Sequence, residues 1–202
     1  MFQTGYLTVK EIIYPVSEYG LPREYLLEIP NREVREAFFN QLTAGLTENE
    51  QIFTTSTFRE IRKALSNGDL QSLLDMLKSL FASIPYQLHV SKEAYYHSIF
   101  FSVMKVLGFK INAEVSVANG RIDAELELDN KVYVFEFKYC GCPPEADEEE
   151  KRKISAEALK QGMKQITDRG YANKYSGKTV YQAAFAFLGR DNVEMLSSIV
   201  KL

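Results

Sequence analysis

The sequence predicts an α/β fold with a mixed central sheet, preceded by a small, mainly helical region that begins with a β-hairpin. Two observations support this prediction. Between residue 32 and Gly108, apolar residues recur at helical spacing, whereas beyond Gly108 they alternate with a period of two. From about residue 91 the elements follow the order helix, three strands, helix, strand, which is typical of an α/β core.

The first part of the chain, residues 1–85, is predicted to form one domain. The segments "GYLTVKEI" and "EYLLEIP" are typical of two short strands joined by a turn. Asn31 is suited to cap the helix "REVREAFFNQLTAGL". Two amphipathic helices are then expected, over 57–65 and 70–81, with a break at Asn67-Gly68.

The second part, residues 86–202, is predicted to form the α/β core. Ser91 is a candidate N-cap for a helix that runs to Leu107 and ends at Gly108. The segments "KINAEVSVA", "RIDAELEL" and "KVYVFEFKY" predict three strands, and a helix is expected over 150–175. The segment "TVYQAAFAFL" predicts a fourth strand, whereas the tail "NVEMLSSIVKL" is compatible with a strand or a helix.

Composition narrows the class of protein. With 202 residues, 46% of them apolar and 25% charged, the chain can build one large or two small globular domains. No apolar run approaches the roughly 20 residues that cross a bilayer, and no secretory signal pattern begins the chain. Cys140 and Cys142 fit neither a disulfide framework nor a four-ligand zinc site. We therefore expect a cytoplasmic protein with reduced thiols and no membrane segment.

The net charge of −3 argues against a strong nucleic-acid binder. Its distribution weakens that argument. From Pro85 onward, basic and acidic residues are equally numerous, and five of the acids lie in the single run 145–150. Without that run, this part of the chain is basic.

The predicted hairpin brings two acidic residues together. A two-residue turn at Asp129-Asn130 suits these residue types, because both tolerate a positive φ. The resulting register predicts Asp123 opposite Glu136 on one face of the sheet. Carboxylates that face each other need a compensating charge, and a divalent cation such as Mg²⁺ or Mn²⁺ supplies it.

Lys138 lies on the same predicted face, two residues beyond Glu136. Its amine can hold or deprotonate an attacking water, or stabilise developing negative charge. The backbone carbonyl of Phe137 is a further candidate metal ligand. Together these groups indicate metal-assisted hydrolysis of a phosphodiester. An amphipathic hairpin with a solvated, charged face explains the spacing equally well.

The remaining hairpin residues are expected to divide between solvent and core. Glu125 and Glu127 are predicted to lie in solvent. The face opposite to the acids is predicted to be a core face, made of Ile122, Ala124, Leu126, Leu128, Tyr133, Phe135, Phe137 and Tyr139.

The motif "RID", followed after a short hairpin by "EFK", resembles the Asp…(Glu)-X-Lys signature of the PD-(D/E)XK nuclease superfamily. The order of elements is similar to its restriction-endonuclease-like αβββαβ core. The chain also resembles the C-terminal part of bacterial proteins that join an AAA-like ATPase to such a nuclease domain. "FQTGYLTVK" and "IPNREVREAFFNQL" resemble the end of the ATPase module; "EAYYHSIFFSVMKVLGF" and "QITDRGYANKY" resemble the nuclease part. The chain has no G-x-x-x-x-G-K-[ST] loop of its own.

The resemblance implies a role for each matching position. Asp123 and Glu136 correspond to the metal ligands, and Lys138 corresponds to the catalytic lysine. Glu93 corresponds to the acidic residue on the first core helix, which can assist the metal directly or through water. Gln165 corresponds to a polar catalytic-site residue on the helix after the third strand.

Three further features qualify the resemblance. His97 follows Glu93 by four residues, so it shares a helix face with it and is a further candidate for the same pocket. Gly162-Met163 stand where this branch more often has Ala-Leu. The acidic run 145–150 lies where a polyanion would approach.

The function that the resemblance implies is a Mg²⁺-dependent (or Mn²⁺-dependent) nuclease that cleaves DNA in the bacterial cytoplasm. Its implied partners are nucleic acid and an AAA-like ATPase domain upstream in a longer protein. An alternative is a non-cleaving module that binds nucleic acid or a protein partner with the same fold. A third reading is an RNase or a structure-specific enzyme.

Overall fold

The computed structural model of the protein describes only part of the chain. The chain divides into two compact units, residues 1–45 and 46–202. The predicted domain boundary between residues 85 and 86 remains a prediction. The described residues are 7–13, 24–31, 33–34, 37, 55–84, 87, 89–117, 120–143, 145–170, 174–189 and 192–201.

The first unit contains the predicted β-hairpin. Strand β1 (Thr8–Ile13) pairs antiparallel with strand β2 (Glu24–Glu28). The Asn31 side chain accepts a hydrogen bond from the backbone N–H of Val34 at 2.9 Å, as expected of a helix cap. Most of the predicted helix that follows lies outside the described residues.

In the second unit, the first two helices form as the sequence predicts. Helix α1 (Thr55–Asn67) and helix α2 (Leu70–Ser83) are separated by Gly68, whose φ of +74° suits glycine. Asp69 caps α2 by accepting the backbone N–H of Ser72 at 3.0 Å. The Asn67-Gly68 break is therefore confirmed.

The two helices of the core differ from prediction at one end each. Helix α3 (Glu93–Val106) begins after Lys92, so the predicted cap at Ser91 is wrong. Helix α4 (Glu148–Asp168) ends well before residue 175, because Gly170 adopts a left-handed φ of +63°. Among the helices that the structure describes, none combines the length and the apolar character needed to span a membrane.

Five strands form one mixed sheet in the order β3-β4-β5-β6-β7. Only the β5–β6 pair is parallel, as expected for two strands that a helical crossover joins. The chain tail, which the sequence left open, is the edge strand β7. The strands are β3 (Lys110–Val117), β4 (Gly120–Leu128), β5 (Lys131–Cys140), β6 (Thr179–Leu188) and β7 (Asn192–Lys201).

Helices cover both faces of this sheet. On one face, Phe100 of α3 packs on Phe135 and Phe137 of β5 with ring centroids 5.0 and 5.1 Å apart. Phe81 of α2 packs on the same aromatic layer through Phe187, at 5.2 Å. The other face is an aliphatic cluster beneath α4 that includes Ile122, Val132, Val134, Ile166 and Val180. The α/β fold with a mixed sheet is confirmed.

Candidate functional site

The hairpin between β4 and β5 has the predicted turn and register. Asp129 has a φ of +53°, and Leu128 pairs with Lys131. The register continues to Ala124 opposite Phe135, where the regular pairing of these strands ends. Sequence alone therefore located the turn and most of the ladder.

Beyond Ala124 the two strands no longer pair, and the Asp123 side chain takes the place of the next hydrogen bond between them. Its Oδ2 accepts the backbone N–H of Phe137 at 2.8 Å, in place of a ladder bond between the strands. The direct pairing of Asp123 with Glu136 is thus replaced by a bond to the neighbouring backbone. Ile122 is buried as predicted, but it joins the cluster of Val134 beneath α4, so the prediction that it shares a face with Ala124 and Phe135 is wrong.

Glu136 is a buried carboxylate at the point where the strands part. Only 1% of the residue is exposed. Its Oε1 accepts from Lys138 Nζ at 3.1 Å, and its Oε2 accepts from Arg169 Nη1 at 2.9 Å. Burial and the nearby charge of Asp123 raise the pKa of Glu136 above its usual range, although the two cations act in the opposite direction. Even with both cationic partners, the charged form of this carboxylate is therefore less favoured than it would be in water.

Lys138 lies between carboxylates from two elements. Its side chain is 18% exposed, and Nζ lies 3.9 Å from Glu93 Oε2 as well as near Glu136. Glu93 stands in the first turn of α3 and is about half exposed. The fold thus brings Asp123, Glu136, Lys138 and Glu93 to one end of the sheet.

Helix α4 approaches the site closely through Gly162. A Cβ at this position would lie 2.8 Å from the Ala184 Cβ, 3.7 Å from Glu136 Cγ and 3.8 Å from Lys138 Cγ. Position 162 is glycine where the similar nuclease domains more often have alanine. The missing methyl group therefore lets the helix backbone come close to β5 and β6.

Gln165 lies on the same face of α4 as Gly162 and Arg169, because they are spaced by three and four residues. Its Oε1 is buried and accepts no hydrogen bond from the residues that the structure describes. A buried amide oxygen without a partner is costly unless a ligand or water completes it. Gln165 thus lies on the helix face that carries Gly162 and Arg169, with an unused acceptor.

His97 packs away from the acids. Its ring centroid lies 5.5 Å from that of Phe137, whose side chain faces the aromatic layer on α3. Side chains alternate along a strand, so Glu136 and Lys138 point to the opposite face from Phe137. His97 therefore lies behind the strand that carries them.

The prediction that Glu125 lies in solvent is wrong. Glu125 is 1% exposed, its Oε1 accepts from the Tyr175 hydroxyl, and its Oε2 lies 3.7 Å from Lys174 Nζ. The segment after α4 covers this part of the sheet. Glu127 is partly exposed but is held by Lys178 and Lys110, in contacts of 2.9 and 3.0 Å.

Arg169 is the site residue that sequence reasoning missed. It follows α4 directly and reaches Glu136 across 33 residues of chain. One signal was available in the sequence: Arg169 follows Gln165 by four residues and therefore shares its helix face.

Two carboxylates and one carbonyl here are oxygen ligands of the kind that a divalent cation binds. The N–H of Phe137 points to Asp123, and the N–H and carbonyl of one strand residue point to the same side, so the Phe137 carbonyl faces Asp123 too. With Glu136 these oxygens suit Mg²⁺, which keeps several waters. Within the described ranges, no three His, Cys, Asp or Glu side chains form a metal cluster. Glu93 lies across Lys138 from Glu136.

Two comparisons bear on the identity of the chain. A protein of Azotobacter chroococcum mcd 1, described as an uncharacterized protein in the vnfD 5′ region, is 28% identical over 208 residues. The match covers 100% of this chain but 36% of the relative, so the chain spans about a third of that protein. A sequence model of the PD-(D/E)XK nuclease superfamily matches residues 91–194, which include α3, the hairpin and α4. With the fold and the clustered Asp, Glu and Lys already described, the chain belongs to the PD-(D/E)XK nuclease superfamily.

Proposed function

We propose that this chain is a Mg²⁺-dependent (or Mn²⁺-dependent) nuclease that hydrolyses phosphodiester bonds of DNA. The observation that supports the proposal is the Glu136 carboxylate, whose pKa is raised first by burial and then by the charge of Asp123. A divalent cation between the two would relieve this repulsion. Asp123, Glu136 and the Phe137 carbonyl would hold the ion, with Glu93 nearby.

Each group at the site would have a separate role in the hydrolysis. The ion, when bound, supplies a Lewis acid for the phosphate and a more acidic water. Asp123 is oriented by the Phe137 N–H at 2.8 Å. Lys138 lies 3.1 Å from Glu136, where its ammonium group can orient the attacking water and stabilise negative charge on the phosphate. The unused Oε1 of Gln165 can accept a hydrogen bond from that water.

The experiment is cleavage by the purified chain in Mg²⁺ or Mn²⁺, with supercoiled, linear and single-stranded DNA. Asp123→Ala and Lys138→Met should each lower the rate at least about 100-fold, the scale of removing a positioned electrostatic group. Lys153→Ala is the matched control, because Lys153 is exposed on α4 and pairs with Glu149. No cleavage of any DNA form, or full activity of Lys138→Met, would refute the proposal.

A second candidate is a non-cleaving module that binds nucleic acid or a protein partner. One observation favours it: both oxygens of Glu136 are already held by cations, Lys138 and Arg169. The negative charge of the site is therefore partly neutralised without a metal. Calorimetry separates the two, because a nuclease requires Mn²⁺ binding that Glu136→Ala abolishes. The absence of Mn²⁺ binding, or equal binding by the variant, favours the module.

The setting of the nuclease is also a proposal. We infer a reducing, cytoplasmic environment, supported by Cys140 and Cys142, which are both free thiols. An AAA-like ATPase module upstream rests on the resemblance of the first unit, and the matched relative is long enough to hold further domains. Purification of the native protein from cells, followed by sequencing of its N-terminus, tests whether an ATPase module precedes this chain.

A further inference from the structure

Arg169 lies in the site, yet the proposed function gives it no task. Its backbone N–H donates to the carbonyls of Gln165 and Thr167 at the end of α4. Its guanidinium reaches Glu136 Oε2 at 2.9 Å, and its side chain is 19% exposed. A Cβ on Gly120, whose φ is +135°, would lie 3.3 Å from Arg169 Nε. Glycine at the beginning of β4 therefore leaves room for this side chain.

A metal ion and Arg169 compete for the same carboxylate. Glu136 uses Oε1 for Lys138 and Oε2 for Arg169, so an ion held by Asp123 and Glu136 would stand beside two cations on the same carboxylate. Lys138 has Glu93 as a second carboxylate partner at 3.9 Å. Across the described residues, Arg169 forms an ion pair with Glu136 alone. Repulsion from the ion acts on both cations, but Glu93 still holds Lys138 in the site, whereas Arg169 has no second carboxylate among the described residues and is the cation that moves away.

We propose that Arg169 holds Glu136 in the metal-free site and, when the metal displaces it, binds a phosphate of the nucleic acid. This inference rests on the proposed function. The guanidinium is partly exposed, so a short movement brings it to the surface beside Glu136. Its planar fork matches two phosphate oxygens at once, which a lysine ammonium does not. Arg169 thus keeps the buried carboxylate paired until the ion arrives and then positions the substrate.

The test compares Arg169→Ala and Arg169→Lys with the wild-type chain. Mn²⁺ affinity is measured by calorimetry without nucleic acid. DNA affinity is measured in Mn²⁺ by fluorescence anisotropy, in a Lys138→Met background that does not cleave. Arg152→Ala is the charge-matched control for the calorimetry. Arg152 is exposed on α4, about 25 Å from Arg169 along the helix, which is beyond the screening length of ordinary buffers.

Arg169→Ala should bind Mn²⁺ about tenfold more tightly, because the competing cation is gone. It should bind DNA several-fold more weakly, with a salt dependence smaller by about one counterion. Arg169→Lys keeps the charge, so its Mn²⁺ affinity should equal that of the wild type while its DNA affinity falls. Arg152→Ala should leave Mn²⁺ affinity unchanged.

Several results overturn the inference. One is Mn²⁺ binding by Arg169→Ala that is no tighter than that of the wild type. Another is unchanged DNA affinity in Arg169→Ala. If circular dichroism shows that Arg169→Ala does not fold, Arg169→Lys decides, and wild-type DNA affinity in that variant refutes the phosphate contact. If the wild type cleaves nothing while Arg169→Ala still binds Mn²⁺ more tightly, the nuclease proposal fails and the competition for Glu136 stands.

Discussion

Replacing Gly162 by alanine should destabilise the protein, even though alanine is the better helix former. In the interior of α4 the substitution improves helix propensity by about 1 kcal/mol. The new Cβ, however, would lie 2.8 Å from the Ala184 Cβ, and ordinary contacts begin near 3.4 Å. Ala184 is fully buried in β6, and its methyl group has no rotamer that moves it away. Overpacking costs about 1–3 kcal/mol, and an overlap with a methyl group that cannot move belongs to the upper part of that range, about 2–3 kcal/mol. Subtracting the gain in helix propensity leaves a net loss of about 1–2 kcal/mol.

The contacts of the new methyl group define a rescue. Its distances to Glu136 Cγ and Lys138 Cγ, 3.7 and 3.8 Å, are ordinary, so the overlap is with Ala184 alone. Ala184→Gly removes that obstacle but costs about 1 kcal/mol by itself, because glycine weakens a strand interior. In the double variant, Gly162→Ala should cost about 2–3 kcal/mol less than it does in the wild-type background, because only the overpacking is relieved.

Urea unfolding followed by circular dichroism measures all four members of this cycle. Mn²⁺ calorimetry on the same proteins reports whether a displaced α4 also disturbs Glu136. The reasoning is wrong if Gly162→Ala is as stable as the wild type, or if the effects of the two substitutions simply add. Either result would mean that α4 can withdraw from β6 without cost.

Other predictions follow from the charged groups. Tyr175→Phe removes the donor to buried Glu125 and should cost about 2 kcal/mol in urea unfolding, and Glu125→Gln in the same background should recover most of it. Lys178→Met should lower stability at pH 7 by less than about 1 kcal/mol. Lys178 is the main cause of the lowered pKa of Glu127. The loss of stability in Lys178→Met should therefore vanish as the pH falls from 4.5, the ordinary pKa of a glutamate, through the lower pKa of Glu127 in the folded state. An equal loss of stability at pH 3 would contradict this prediction. Because folding raises the pKa of Glu136, its carboxylate opposes folding at neutral pH, and Glu136→Gln should melt no lower than the wild type without metal.

The hairpin shows which structural features short-range sequence patterns can predict. Asp129 and Asn130 suit a two-residue turn, and that turn alone sets which residues of β4 and β5 face each other. The register was therefore predictable as far as Ala124 and Phe135. It was not predictable that the strands part there, because the Asp123 side chain competes with the ladder for the Phe137 N–H.

Burial was harder to predict than register. Glu125 looks like a solvent residue on an amphipathic strand, yet Tyr175 lies 50 residues later and covers it. Val132 and Val134, its neighbours on that face, are also fully buried. The alternating pattern of the sequence predicted one core face, but α4 creates a second one, which no pattern within the hairpin records.

By itself, the sequence determined the order and type of the described elements as far as β6, the turn at Asp129-Asn130 and the residues of the Asp…Glu-X-Lys signature. These depend on periodicity and turn chemistry, which act over a few residues. Only the tertiary structure decided that Arg169 closes on Glu136 and that Gly162 lets α4 lie against β6. Such contacts join residues tens of positions apart, and they depend on how closely a helix packs on a sheet, which is a property of the assembled core.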